Sequence, residues 1–171
     1  MSAARNVLAF TTGNDTRNGT PGADLIFAGS GNDVIDALAG DHCVDLDSGA
    51  DRGKGGPGRD LVVGGAGPDR ISGSSGNDRL RGNDGKDRLT GGTGKDRLSG
   101  GRGKDRILAA DKKRDRIRCG AGRDRVVADR TDRVARDCER VRRVGRRKKA
   151  SRSASSSRGS VPAMLEAAAA F

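Results

Sequence analysis

The chain is predicted to be all-β: a solenoid in which two short parallel strands complete each coil of eighteen residues. Aspartate recurs every nine residues, at Asp15, Asp24, Asp33, Asp51, Asp60, Asp69, Asp78, Asp87, Asp96 and Asp105, with His42 in the one substituted place. An inserted residue carries the column to Asp115 and Asp124, and a deletion carries it to Asp132. Most of these residues close a glycine-rich turn, and two positions later comes a lone inward aliphatic residue. A fixed short period of this kind marks stacked, self-similar coils rather than a folded globule.

Six units run without a gap, from Gly55-Gly-Pro-Gly-Arg-Asp-Leu-Val-Val63 to Gly100-Gly-Arg-Gly-Lys-Asp-Arg-Ile-Leu108. Glycine at the first, second and fourth positions permits positive φ and a tight turn that gathers carbonyl oxygens. The sixth position adds a carboxylate. Oxygen ligands with partial negative charge suit a hard cation, and calcium above all. The last three residues form a strand whose middle member points inward, because side chains alternate. That row reads Ile26, Ile35, Val62, Ile71, Leu80, Leu89, Leu98, Ile107, Ile117, Val126 and Val134, with Gly53 as a weak point. Units n and n+2 then stack ~4.8 Å apart. The expected carboxylate pairs are 51/69, 60/78, 69/87, 78/96 and 87/105.

The unit is similar to the nonapeptide repeat of the RTX (repeats-in-toxin) hemolysin-type calcium-binding family, Gly-Gly-x-Gly-x-Asp-x-apolar-x. The resemblance spans about residues 10–141. It implies a parallel β-roll, a right-handed β-solenoid that holds Ca²⁺ in its turns. The expected metal residues are Asp24, Asp33, Asp51, Asp60, Asp69, Asp78, Asp87, Asp96 and Asp105, with Gly55, Gly64, Gly73, Gly82, Gly91 and Gly100 opening the turns.

Residues 1–9 form a leader of unknown role, too weakly apolar for a signal peptide. Units at Asp15, Asp24 and Asp33 are recognisable but loose. His42 is expected to end one ion site, since imidazole is a poor calcium ligand. The cleanest stretch is 51–108. The next turn, Ala109 to Asp115, gains a residue and sets Lys112, Lys113 and Arg114 beside the column. Repulsion there is expected to stop the calcium ladder.

Residues 119–141 read as an end cap, and they resemble the Cys-containing end segments of actinobacterial RTX-like proteins. Cys119 and Cys138 lie nineteen residues apart, close to one coil, which would bring their Cα atoms within the disulfide range of about 4.4–6.8 Å. The other readings are two small buried residues or metal ligands; no Cys-x-x-Cys spacing supports a metal. Cys43 falls at an outward position. Residues 142–171 form a basic, Ser-rich tail expected to be mostly disordered, with a short helix after Pro162. By family analogy it is also a place for a C-terminal secretion signal.

The 171 residues include 28 Gly, three Phe and neither Trp nor Tyr. One or two small aliphatic residues per unit cannot supply a conventional core. Low hydrophobicity with high charge keeps a chain unfolded unless something else stabilises it. Ion binding would be that something, so the sequence predicts folding on calcium uptake and, from the affinities of loose calcium modules, an extracellular location. The export route is not evident.

The net charge is +11. The first 51 residues hold two cations against eight anions, and residues 52–141 hold 24 against 14. Arg follows the column Asp at 52, 70, 79, 88, 97, 106, 116, 125 and 133, pointing outward. Two readings stay open: a solvated surface that guards the strands, or a docking face for polyanions such as acidic polysaccharide, lipopolysaccharide or nucleic acid. The absence of stacking aromatics argues against specific nucleic-acid recognition.

Enzymatic readings fail. Gly85-Lys86, Gly94-Lys95 and Gly103-Lys104 are each followed by Asp, whose charge repels phosphate. A zinc protease needs two His at helical spacing, and only one His exists. No stretch reaches transmembrane length. An orphan repeat segment of a larger secreted enzyme or toxin is the remaining alternative.

Overall fold

A computed structural model describes residues 6–145. It contains sixteen strands and, among the described residues, no helix. The odd-numbered strands, from β1 (Asn6–Ala9) to β15 (Arg133–Val134), form one sheet in ascending order. The even-numbered strands, from β2 (Thr16–Asn18) to β16 (Arg140–Val144), form the other. Every pairing is parallel, and each strand pairs with the strand two further along the chain. This is the expected β-roll: two sheets of eight strands, wound as one solenoid. Its strands reach a few residues beyond the 10–141 span at both ends. The tail expectations for residues 146–171, including the helix after Pro162, lie outside the described residues.

The register shows how the repeat drives the winding. Leu80 pairs with Leu98 and Leu89 with Ile107, eighteen residues on. After the insertion the step is nineteen, as Leu98 meets Ile117. After the deletion it is seventeen, as Ile117 meets Val134. The extra residue is taken up in the outer turn, where Lys112 adopts a φ of 73°, and the inward positions stay in phase.

Each unit from Asp24 to Asp124 buries three alternating positions: the column residue, the inward residue two later, and a third, mostly small, residue. Asp78, Leu80 and Gly82 are one such set, and Asp105, Ile107 and Ala109 another. The core is therefore two narrow aliphatic rows edged by carboxylates. Gly53 would leave a gap in this row. Leu46 closes it, since it stands where most units carry Gly or Ala. A Cβ on Gly53 would lie 2.9 Å from Leu46 Cδ1 and 3.2 Å from Val62 Cγ1. The expected weak strand is thus repaired by a neighbour half a coil away.

The last coil is closed differently. A disulfide joins Cys119 and Cys138, with their Cα atoms 5.1 Å apart, which settles the pairing in favour of the covalent reading. Arg143 donates from Nη1 to the carbonyls of Asp129 (2.6 Å) and Asp132 (3.1 Å), tying β16 over the end. Among the described residues no helix is long and apolar enough to cross a membrane.

Candidate metal centre

The column Asp residues form two straight rows, one along each edge of the roll. In each row the backbone N–H of one Asp donates to Oδ1 of the Asp one coil later. One row runs Asp15, Asp33, Asp51, Asp69, Asp87, Asp105, Asp124, at 2.7–3.0 Å per step. The other runs Asp24, His42, Asp60, Asp78, Asp96, Asp115, Asp132, at 2.8–3.2 Å. The five pairs expected from spacing are all present as neighbours in these rows.

The second carboxylate oxygen distinguishes the middle of the rows from their ends. Oδ2 of Asp33, Asp51, Asp60, Asp69, Asp78, Asp87, Asp96, Asp105, Asp115 and Asp124 is buried and has no hydrogen-bond partner. At the N-terminal end, Asp15 Oδ2 accepts from the N–H and hydroxyl of Thr11. Asp24 Oδ2 accepts from Thr20 N–H at 2.7 Å. At the C-terminal end, Asp132 Oδ2 accepts from Asp129 N–H at 2.6 Å. Along the rest of both rows, as far as Asp124 at the end of one, ten buried carboxylate oxygens have no donor. As anions they persist in a folded protein only if something positive, an ion or a proton, meets them.

The space beside these oxygens is kept open by glycine. A Cβ on Gly64 would lie 2.4 Å from Asp69 Oδ2 and 2.7 Å from Gly82 O. On Gly73 it would lie 2.3 Å from Asp78 Oδ2 and 2.5 Å from Gly91 O. Gly82 and Gly100 repeat this with Asp87 and Asp105, while Gly55 and Gly91 face Asp60 and Asp96. A carboxylate oxygen and a carbonyl from the next coil thus converge on one small volume at four of the six sites. All-oxygen, anionic and neutral donors together fit a hard cation of calcium's kind. These first-position glycines do not have positive φ, unlike those at the fourth position such as Gly76 (φ 131°). Their role is clearance, which corrects the expectation that all three glycines serve the turn's dihedrals.

Burial dominates the electrostatics. It pushes Asp69, Asp78 and Asp115 up to about 7 and Asp105 up to about 6, against a partly offsetting backbone hydrogen bond and with added repulsion from neighbouring carboxylates. Asp51, Asp60, Asp87 and Asp96 are raised for the same first reason. Asp24 differs. Burial raises it, but hydrogen bonds from Thr20 and Asn6, with His42 alongside, bring it below the ordinary value.

Asp24 was expected among the metal residues, yet its second oxygen is occupied by Thr20. Asp33 and Asp51 lie in the rows with bare oxygens, but Ala28 and Leu46 stand where the clearing glycine would be. Asp60, Asp69, Asp78, Asp87, Asp96 and Asp105 have both parts. Asp115 and Asp124 lie outside the expected set and share the buried geometry. Lys112, Lys113 and Arg114 are all exposed, so the bulge leaves the carboxylate row unbroken.

His42 accepts through Nδ1 from Asp24 N–H at 3.2 Å. It keeps the ladder and removes a charge. A feature missed from sequence is a second ladder on the turns. The side-chain oxygens of Asn14, Asn32, Asp41 and Asn77 accept from the N–H of Asn32, Ala50, Arg59 and Lys95, each one coil on. Asn immediately before the column Asp was the available signal. Cys119, Cys138 and Asp137 also cluster, but both sulfurs are committed to the disulfide.

Two edge rows of inward carboxylates on a parallel solenoid define a carboxylate-lined β-roll. The family model for the RTX calcium-binding nonapeptide repeat matches in four copies, over residues 11–41, 45–80, 54–89 and 81–111. The chain belongs to this family, and the membership supports calcium binding by the roll. No curated protein matches the chain.

Proposed function

We propose that this chain is a secreted, non-catalytic β-roll that folds on taking up Ca²⁺. The ions are held along both edges by Asp60, Asp69, Asp78, Asp87, Asp96 and Asp105, opposite Gly55, Gly64, Gly73, Gly82, Gly91 and Gly100. The supporting observation is the set of ten buried carboxylate oxygens without a donor. Two aliphatic rows cannot offset that much uncompensated charge, so ion binding supplies the folding free energy. Calcium at about 10⁻⁴–10⁻³ M, the working range of extracellular modules, then acts as a switch between an unfolded chain inside the cell and a rigid one outside. The Cys119–Cys138 disulfide favours the same oxidising location.

Far-UV circular dichroism and calorimetry test this. In chelator the chain is expected to lack β signal, and millimolar Ca²⁺ is expected to restore it with measurable heat. Identical spectra in chelator and in calcium would overturn the proposal.

A further inference from the structure

The residues on either side of each buried column Asp both face solvent. Along one edge this builds two parallel rows of cations. Lys86, Lys104 and Arg123 precede Asp87, Asp105 and Asp124, while Arg88, Arg106 and Arg125 follow them, and all six are exposed. The strand-side row is held in register, with Arg88 opposite Arg106, Arg106 opposite Arg125, and Arg125 opposite Arg140. Between the rows runs a groove of about 410 Å³. The opposite edge repeats the pattern on a smaller scale, with Lys95 and Arg114 facing Arg97, Arg116 and Arg133 around about 250 Å³.

These cations lack acidic partners. Among the described residues the Lys and Arg ion pairs are Arg17–Asp15, Lys54–Asp36, Arg59–Asp41 and Arg102–Asp84. None involves a groove cation. Asp87 and Asp105 also line the groove, but they are buried and pair with none of these cations. Surface Arg and Lys kept in rows without ion pairs repel one another, so the arrangement lowers stability unless it meets an outside anion.

We propose that the Lys86–Arg123 and Arg88–Arg125 rows form a docking groove for an extended acidic polysaccharide lying along the solenoid axis. Successive cations sit one rung apart, ~4.8 Å. One carboxylate or sulfate per sugar ring recurs on a comparable scale. Duplex DNA carries a charge every ~3.4 Å along each strand, a spacing that does not match the rungs. Single-stranded nucleic acid is bound through aromatic stacking platforms, and the groove lining contains none. The groove is a property of the stacked coils, so this inference rests on the roll being folded.

The test uses the full chain at fixed free calcium, with polygalacturonate as probe and neutral dextran and duplex DNA as comparators. A variant carrying Lys86→Gln, Lys104→Gln and Arg123→Gln is compared with a charge-matched control carrying Arg17→Gln, Lys113→Gln and Arg136→Gln, none of which lines the groove. The groove variant is expected to bind polygalacturonate roughly tenfold more weakly, with a shallower salt dependence, while the control stays near wild type. Circular dichroism in calcium verifies that both variants fold. Equal losses in the two variants would show that bulk charge, including the basic run from Arg142, does the binding, and the proposal would fall. Tighter binding to DNA than to polygalacturonate at the same salt would overturn it in favour of nucleic acid, and equal retention by dextran would remove the charge argument. A roll that stays folded in chelator refutes the calcium proposal and leaves this one standing.

Discussion

A glycine with ordinary φ looks replaceable, yet Gly82 is not. Its missing Cβ would sit 2.2 Å from Asp87 Oδ2 and 2.5 Å from Gly100 O, on the volume assigned to an ion. Gly82→Ala is expected to destabilise the calcium-loaded roll by about 1–3 kcal/mol through overpacking and to shift the calcium midpoint upward in a titration followed by circular dichroism. Gly13→Ala is the control: a Cβ there meets nothing within 4 Å, and the change should stay within about 0.5 kcal/mol. The Asp column was legible in the sequence, because strand alternation allows an inward residue at every ninth position and few other placements. The donors that end the rows were not. Thr11 and Thr20 stand where later units have glycine, so in sequence they read as faults in the repeat, and only the folded turn shows each pairing with the Asp four residues on.

Strands in this roll succeed or fail with their neighbours. Leu46 fills the hollow over Gly53, so Leu46→Ala should cost about 2–5 kcal/mol as a buried large-to-small change. Gly53→Val alone should also destabilise by overpacking, while the two together should recover part of the loss. Thermal melts of the four proteins in calcium give the coupling. This repair was not legible from the linear order. Leu46 and Gly53 occupy different positions of adjacent units, and their meeting depends on how the sheets face each other. At the far end, the disulfide closes a loop of nineteen residues. Its reduction is expected to cost about 3 kcal/mol. In a solenoid stabilised by nearest neighbours, hydrogen exchange should rise mainly in the final coils, around β16, with earlier coils little changed.

Across the whole molecule, two lines of buried carboxylates link stability to acidity. Asp69, Asp78 and Asp115 are pushed up to about 7 when folded, against an unfolded value near 3.9. The metal-free roll therefore binds more protons than the unfolded chain between those values. Its stability is greatest below about pH 4 and falls as pH rises toward 7. With calcium the dependence reverses, because protons compete with the ion for the same oxygens. In chelator the β signal by circular dichroism should be absent at about pH 7 and gain as pH falls to about 4.5, while calcium affinity measured by calorimetry should fall over the same interval. A flat profile in both conditions would mean that the carboxylates are not coupled to folding. The overall coil count and winding were readable from the period, including the compensating insertion and deletion, since both fall in outer turns that leave the inward phase intact.

The carboxylate ladder also gives the solenoid a direction. Each coil offers its Asp amide forward, and the carboxylate that accepts it belongs to the coil that follows. An exposed front end shows acceptor oxygens, which Thr11 and Thr20 can dress with local donors. At the rear end no column carboxylate follows among the described residues, and the Asp132 amide turns back to the carbonyl of Asp129 at 3.4 Å. The covalent clasp lies at that rear end, where the roll has the greater need of closure.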